Sequence, residues 1–466
     1  MELEIAKKML RSYMPGHEKF VSKADTANRY YRKKNDILTI KREDKIEDDP
    51  LRNADNRIPS NFYKLQVNQK AAYAFTDRVL FDAGNDEANE TIKKALGDAF
   101  QKKCKALCVQ AANTSVGWIH YWKGENGEFK YSVLDSREVV PIWNKDLEKE
   151  LKAVLRTYRD IDDATGDEYF IYEFWTDEEA ESFRRRIDSD GYDMLEPYCQ
   201  YLTLNVDTNS ETYESVYKHG LGEVPFIFFN NNDEGTNDLN DIKELIDSYD
   251  KIYSGFVNDL EDIQEIIFVI TNYGGKADTP TEILREINNT KIIQVESEGP
   301  NDKSGISTLA IEIPVEAREK LLTMTRKSIF EQGMAIDPDP QNFGNSSGVA
   351  LGYLYSLLEL KTGLMETEFR ISFNRLVRAI LRFHNLSAEN IEQTWTRTSV
   401  TNDAELSDIA QKSKGIISDE TIVRRHPWVD DPTKEMERLE KQRKEKEQEW
   451  DNIPKADGGL GDGEEE

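Results

Sequence analysis

The residues that could do chemistry in this sequence are first of all its carboxylates. Adjacent acids such as Glu178-Glu179 and Glu261-Asp262 resemble the paired carboxylates of a glycosidase or the metal ligands of a two-metal nuclease. The chain contains 89 Asp and Glu residues, so neighbouring acids also arise by chance. Both pairs therefore favour a solvated acidic surface over an active site.

Motifs for phosphate, nucleophile and metal chemistry are absent from the sequence. The run Gly274-Gly275-Lys276 lacks the upstream glycine and the Ser or Thr of a phosphate-binding loop, and the glycine-rich segment 344–352 contains no basic residue. No GxSxG elbow follows a predicted strand, no HExxH motif occurs, and the histidines are far apart in sequence: His17, His120, His219, His384 and His426. We therefore expect no cofactor and no enzymatic activity.

The three cysteines indicate neither a disulfide framework nor a metal site. Cys104 and Cys108 are four residues apart and would share a helix face, but no further cysteine is close enough in sequence to complete a zinc site. We expect both to be small buried side chains in a protein of a reducing compartment.

The charge balance is strongly acidic, with a formal net charge of -28. A protein that holds nucleic acid tightly needs basic patches. The composition is compatible with a solvated acidic surface and also with a surface that meets DNA without holding it. The N-terminus has no apolar region of a secretory signal, and the longest apolar runs are too short to span a membrane.

The hydrophobic periodicity predicts an α+β protein. Up to about residue 120 the period is helical, beginning with one or two amphipathic turns around Ile5–Leu10, and a charged loop covers 32–57. Further helices are predicted from Pro59 to Leu80 and from Ile92 to Val109. From Gly117 to about Asn230 the period changes to two, which predicts short antiparallel strands.

The second half is dominated by long helices. A helix capped by Asn237 or Asp238 keeps one apolar stripe for roughly 45 Å, and a helix opened by Pro314 extends roughly 30 Å to the Asp337–Pro340 break. A small α/β segment lies between them. The remaining predicted elements are a long helix from Ser346 or Ser347 to about Phe383, a strand at 391–398, helices at 403–414 and 433–450, and a disordered acidic tail.

The order of these parts resembles the portal proteins of tailed phages with long non-contractile tails, especially phages of Gram-positive bacteria. The resemblance is carried by NRIPSNFYKLQVNQKAAYAF (56–75), by residues 220–270, by SGVALGYLYSLLELKTGLMETEF (347–369) and by KGIISDETIVRRHPWVDDPTKEMERLEKQ (414–442). Its specificity comes from the combination and order of these segments, because none is a catalytic signature.

The resemblance implies a portal-type subunit with a mixed α/β wing, long stem helices, a small α/β clip and a helical C-terminal crown. The implied domains are the wing (1–237), first stem helix (238–266), clip (267–313), second stem helix (314–336), tunnel loop (337–347), long wing helix (348–385), crown-like helices (386–450) and acidic tail (451–466).

The tunnel loop is the site that the resemblance assigns to contact with DNA. Its candidate residues are Asp337, Pro338, Asp339, Pro340, Gln341, Asn342, Phe343, Gly344 and Asn345. The loop contains no Lys or Arg, which fits loose contact with DNA. A plain connector between two helices is the alternative, and Phe343 packs on the third helix or points at the DNA.

The resemblance also implies the partners and the location. The subunit would form a ring, typically a dodecamer, at the capsid vertex of the virion, after assembly in the host cytoplasm. Its partners would be double-stranded DNA in the channel, the terminase large subunit, the head–tail adaptor, and the major capsid and scaffolding proteins, with no membrane. A non-channel structural or adaptor protein of a virion is the first alternative, and an acidic cytoplasmic enzyme is the second.

Overall fold

The structure is a computed structural model of the 466-residue chain. It describes residues 2–40, 54–147, 149–205, 210–263, 267–271, 279, 281–283, 285, 296, 299, 305–309, 314–339, 348–397, 409–426, 428–429 and 431–451. Two compact units make up the chain, the first comprising 1–338 and 356–397 and the second 339–355 and 398–466.

Helices and antiparallel sheets make up the described residues, which confirms a mixed helix and sheet fold. The helices are α1 (Leu3–Tyr31), α2 (Phe62–Ala74), α3 (Asp86–Leu96), α4 (Phe100–Thr114), α5 (Lys243–Ile263), α6 (Val315–Gln332), α7 (Gly348–Phe383), α8 (Asp419–Arg425) and α9 (Pro432–Asp451). The strands are β1 (Leu80–Asp82), β2 (Val116–Lys123), β3 (Phe129–Leu134), β4 (Val139–Trp143), β5 (Leu151–Ile161), β6 (Glu168–Trp175), β7 (Glu179–Arg186), β8 (Glu196–Pro197), β9 (Tyr201–Asn205), β10 (Ser210–Glu214), β11 (Val216–Lys218), β12 (Phe226–Asn230), β13 (Ile267–Thr271), β14 (Gly305–Leu309) and β15 (Glu392–Thr394).

The strands form a main sheet and several smaller sheets. The main sheet has the order β11-β7-β6-β5-β4 with β8 added to β7, and a three-stranded sheet has the order β12-β2-β3. The two-stranded sheets are β1-β15, β9-β10 and β13-β14. Period-two patterning and turn residues between neighbouring strands produce these hairpins, so the β region predicted from Gly117 to Asn230 is confirmed.

Four hydrophobic clusters hold unit 1 together. The largest joins α2, α3 and α4 to the three-stranded sheet and to the second half of α7, where Phe369 and Phe373 are fully buried. A second cluster joins α1 and α2 to the base of α5 and α6 through Tyr30, Tyr63 and Ile329. Two further clusters lie against the main sheet, one beneath the start of α1 and one around Trp118.

Several predicted boundaries are wrong, for local reasons. The first helix is not one or two turns but 29 residues long, because its second half packs on α2 and α5 through Ala27 and Tyr30. The helix predicted from Pro59 to Leu80 ends at Ala74, because Leu80 begins a strand that pairs with Thr394. The helix predicted from Ile92 to Val109 is two helices, because Gly97 adopts a φ of 66° between them.

The three long helices lie where they were predicted, but the first of them starts later in the chain than predicted. The first begins at Lys243 and not at Asp238, because the Asp238 side chain is bound to other elements. Pro314 precedes α6, and α7 begins at Gly348. Helix α8, which begins after the Ser418 cap, was not predicted. The tail was predicted for 451–466, but Asp451 is the last residue of α9, and 452–466 lie outside the described residues.

Candidate functional site

Helices α5 and α6 pack against each other as an antiparallel pair. Near one end, Arg318 of α6 forms an ion pair with Asp259 of α5 at 2.5 Å. Near the other end, the Phe62 ring lies edge-on to both Tyr249 of α5 and Phe330 of α6, with centroid distances of 4.9 and 5.8 Å. The pair is therefore a rigid hairpin whose base is fixed to α2.

A short antiparallel ladder connects the far ends of this pair. Strand β13 follows α5, strand β14 precedes α6, and Ile267 is opposite Leu309 in their register. The described residues 281–283 and 285 are helical, so strands and helical residues both occur in the segment predicted to be α/β. The Gly274-Gly275-Lys276 run lies outside the described residues.

A buried cluster of charged residues lies at the base of the α5–α6 pair, and we call it the Asp238 joint. It comprises Asp238, Lys70 of α2, Lys361 of α7 and Asn231. Both lysine Nζ atoms lie 3.2 Å from Asp238 Oδ2, and Asn231 Nδ2 donates to Asp238 Oδ1 at 2.8 Å. The side chain of Lys70 is 1% exposed and that of Asp238 is 6% exposed.

The electrostatics of the Asp238 joint favour the ionised carboxylate. Burial alone raises the pKa of Asp238, but Lys361, Lys70 and the Asn231 amide outweigh it and lower that pKa to about 2. Burial and the neighbouring Lys70 lower the pKa of Lys361, against the attraction of Asp238. Two cations thus share one anion. Removal of the Asp238 carboxylate would leave both buried lysines without a counter-charge.

The joint connects five parts of the fold. Lys361 also donates to the carbonyl of Gly333, directly after α6, at 2.9 Å. Asp238 N donates to Ala112 O at the end of α4 at 2.8 Å. The joint therefore ties the segment before α5 and the segment after α6 to α2, α4 and α7.

The segment that leads from α6 into the predicted tunnel loop is held on both sides. Gln69 pairs with the backbone of Ile336, accepting from its N–H at 3.2 Å and donating to its carbonyl at 2.8 Å. Arg326 of α6 binds Asp337 through two hydrogen bonds of 2.6 and 3.1 Å. The start of the loop is thus fixed to α2 and α6.

Most of the predicted tunnel loop lies beyond this start. Asp337 and Asp339 are half-buried and Pro338 is exposed. The other candidates, Pro340, Gln341, Asn342, Phe343, Gly344 and Asn345, lie outside the described residues. The role of the loop, and the two alternatives for Phe343, stay predictions.

The exposed charges of the α5–α6 pair are mixed rather than uniformly acidic. Among the described side chains of the two helices, those that are exposed and charged are Glu244, Lys251, Glu261, Glu316, Glu319, Lys320, Lys327 and Glu331. Five of these side chains are acids and three are bases. The exposed surface of the pair is therefore acidic on balance, as the whole chain is, with lysines interspersed among the acids.

Large apolar side chains are exposed on the same helices and on α7. Those on the pair are Tyr253, Leu260, Val315, Leu321 and Met324, with exposures of 38 to 59%. On α7 they are Leu357, Leu360, Leu364 and Ile371, of which the last three are 54, 55 and 51% exposed. The spacings of three, four and seven place the α7 residues on one helix face, as in a coiled-coil seam.

Cys104 and Cys108 are side chains of the hydrophobic core, and His120 packs against aromatic rings of the core. Cys104 and Cys108 are buried as predicted, and burial raises the pKa of Cys108 to about 12. His120 lies against the Trp175 ring, and its Nδ1–H donates to Pro225 O at 2.9 Å. Burial lowers the pKa of His120 to about 4, so its ring is neutral at pH 7.

The acidic pairs do not converge on a catalytic arrangement in the part of the chain that the structure describes. Glu261 accepts a hydrogen bond from the Asn56 side chain, and the Asp262 side chain lies outside that part. Glu178 and Glu179 lie at the turn between β6 and β7. Within the described residues, no cluster of three or more His, Cys, Asp or Glu could hold a metal ion, and no helix could cross a membrane.

The residues of the Asp238 joint were not identified from the sequence, which suggested Asp238 only as a helix cap. A weak signal existed at Lys70, since it lies among the buried residues Val67, Ala71 and Ala74 of α2. A lysine at such a position must find a buried anion. Nothing in the sequence indicated which of the 89 acids would supply it.

Comparison with known proteins agrees with the resemblance. A family model described as "Phage portal protein, SPP1 Gp6-like" matches residues 10–449. The portal protein of Clostridium phage phiCD119 is 42% identical over 431 residues, covering 89% of this chain and 90% of that protein. The portal protein of Bacillus phage SPP1 is 29% identical over 455 residues, covering 94% and 87%.

Solved structures give a more distant similarity. A chain from the virion of a native gene transfer agent particle has a TM-score of 0.44 and 11% identity, covering 77% of this chain and 88% of that chain. The family model and the two portal proteins cover nearly the whole sequence. This chain therefore belongs to the family of SPP1-like phage portal proteins.

Proposed function

We propose that this chain is the subunit of a closed ring, typically a dodecamer, at the capsid vertex of a virion. The observation that carries the proposal is the set of apolar side chains left exposed on α5, α6 and α7. Leu360 and Leu364 belong to a heptad-spaced face that an isolated chain leaves in water. Neighbouring subunits related by rotation would cover such faces, which explains why an otherwise acidic chain carries exposed apolar side chains there.

In this ring, α5 and α6 are the stem helices and the segment between them is the clip. The mixed exposed charges of the pair offer no continuous basic track, so the channel would let DNA slide during packaging and ejection. The clip would dock the terminase large subunit and later the head–tail adaptor. Major capsid and scaffolding proteins would contact the outside of the ring.

The tunnel loop would contact passing DNA from a fixed start. Gln69 and Arg326 hold Ile336 and Asp337, which would aim the following residues into the channel. Replacing residues 341–345 by a Gly/Ser linker should leave the ring intact and impair DNA packaging or retention. Normal packaging by the replaced protein would refute this role, and loss of the ring would mean that the loop is a structural connector.

The protein would act without ATPase or nuclease activity of its own. Packaging energy would then come from a partner ATPase. The alternative function is a structural or adaptor protein of a virion without a channel. Formation of a closed ring by the purified protein distinguishes the portal from this alternative.

The test of the ring is the particle mass of purified wild type and of Leu360→Glu and Leu364→Glu variants. A dodecamer of 53.7 kDa chains has a mass of about 640 kDa. The wild type should give that class of particle, and the two charged variants should be folded but smaller. Met194→Glu is the matched control, because Met194 is 71% exposed away from these helices. Variants that assemble like the wild type would refute the assignment of this face.

A further inference from the structure

A groove of about 700 Å³ lies between α1 and one face of the main sheet. The first half of α1 packs on this sheet through Leu10 and Met14. The groove opens along the next turns of the helix, from Met14 to Arg29. None of the described features of the proposed portal function uses this groove.

The sheet side of the groove carries an arginine on each side of one aromatic ring. Arg159 of β5 is directly opposite Phe170 of β6, and Phe170 is directly opposite Arg185 of β7. Residues opposite one another on adjacent strands share a face of the sheet. Each guanidinium carbon lies 5.1 Å from the centroid of the Phe170 ring.

These two arginines have no carboxylate partner among the residues that the structure describes. Arg185 donates to Ser189 O and to the Tyr172 hydroxyl, and Arg159 contacts the Phe170 ring. The other two arginines of the groove differ in this respect. Arg29 is paired with Asp36, and Arg137 is paired with Asp25 and Asp135.

Arg159 and Arg185 are therefore the two guanidinium groups of the groove that no carboxylate neutralises directly. The other two arginines of the lining are neutralised by Asp36, Asp25 and Asp135, and Glu18 is the remaining acid of the lining. The net charge of the whole chain is -28. Two unpaired guanidinium groups beside apolar rings form a surface suited to carboxylates.

We propose that this groove binds an acidic peptide segment of a partner protein. Carboxylates of the segment pair with Arg159 and Arg185, and an apolar side chain between them packs on Phe170, Tyr192 and Met14. A protein segment fits better than DNA, because the surrounding negative charge repels a long polyanion while a short peptide reaches the groove locally. The proposal goes beyond the portal function and does not depend on the ring.

The test is binding of a fluorescein-labelled peptide of four glutamates around one leucine, measured by fluorescence anisotropy on the full-length protein. We expect saturable binding at about 0.15 M salt that weakens as salt is added. Arg159→Gln and Arg185→Gln should each weaken binding by about tenfold or more. Arg186→Gln is the matched control, because it removes the same charge one residue further along β7, where Arg186 is paired with Asp167. This variant should change peptide binding by less than about twofold.

Several results would overturn the proposal. They are the absence of saturable binding, equal binding of a peptide with glutamines in place of the glutamates, and equal losses for Arg185→Gln and Arg186→Gln. Tighter binding of a DNA duplex at the same sites would assign the groove to phosphate. A changed ring mass for Arg159→Gln or Arg185→Gln, without peptide binding to the wild type, would assign the groove to a second copy of this chain.

Discussion

The Asp238 joint makes an asymmetric prediction about stability. Asp238→Asn leaves the buried ammonium groups of Lys70 and Lys361 without an anion. Removing one partner of a buried ion pair typically costs about 3–5 kcal/mol, because the remaining charge is desolvated and uncompensated. We therefore expect Asp238→Asn to lower the free energy of unfolding of unit 1 by about that amount.

Lys361→Met should be much milder. It leaves Lys70 and Asp238 as a one-to-one pair and removes the repulsion between two cations, so its main loss is the hydrogen bond to Gly333 O. A bond of this kind contributes about 1–3 kcal/mol. Adding Lys361→Met to Asp238→Asn should recover at least about 1 kcal/mol, because one of the two stranded cations is removed.

The assay is urea denaturation followed by tryptophan fluorescence, with Asp77→Asn as the control. Asp77 is exposed, so its neutralisation should change the free energy of unfolding by less than about 0.5 kcal/mol. Equal losses for Asp238→Asn and Lys361→Met would refute the reasoning. So would a double variant that is less stable than Asp238→Asn alone.

Three further predictions follow from the described geometry. Because the pKa of His120 is lowered in the folded protein, the unfolded chain binds a proton at this residue first as the pH falls. Protonation of His120 should therefore lower the free energy of unfolding by about 3 kcal/mol between pH 6.5 and pH 4. His120→Phe should remove this loss, whereas His384→Phe, a control at an exposed histidine, should not. Gln69→Ala removes the acceptor of the Ile336 N–H and should accelerate hydrogen exchange at that amide by about tenfold or more, whereas an unchanged rate would mean that the start of the loop is held without it. Purified protein should show no ATP turnover, and turnover abolished by one substitution would contradict the non-enzymatic role.

Much of the fold follows from periodicity. The β region, the two helices joined by a small insertion and the long helix before Phe383 were all predicted, because their apolar patterns are long and regular. The errors lie where tertiary contacts decide. Leu80 leaves a helix to pair with Thr394, and Lys243 begins α5 because Asp238 is taken by two lysines.

The candidate site could be predicted less completely than the fold. The sequence shows that Asp337 follows a helix and precedes a proline-rich loop, but not that Arg326 and Gln69 hold the start of that loop. Lys70 and Lys361 are 291 residues apart, and only the folded chain brings them to one carboxylate. Ion pairs between residues so distant in sequence depend on which helices pack together. The hydrophobic pattern does not show which of the many acids will pair with a buried lysine.

We propose above all that this chain forms a ring with a channel for DNA. Negative-stain imaging of the purified full-length protein tests this proposal most directly. We expect closed rings with a central hole wide enough for a DNA duplex, and we expect Leu364→Glu to abolish them while Met194→Glu does not. Compact particles without a hole, or monomers at every concentration, would contradict it.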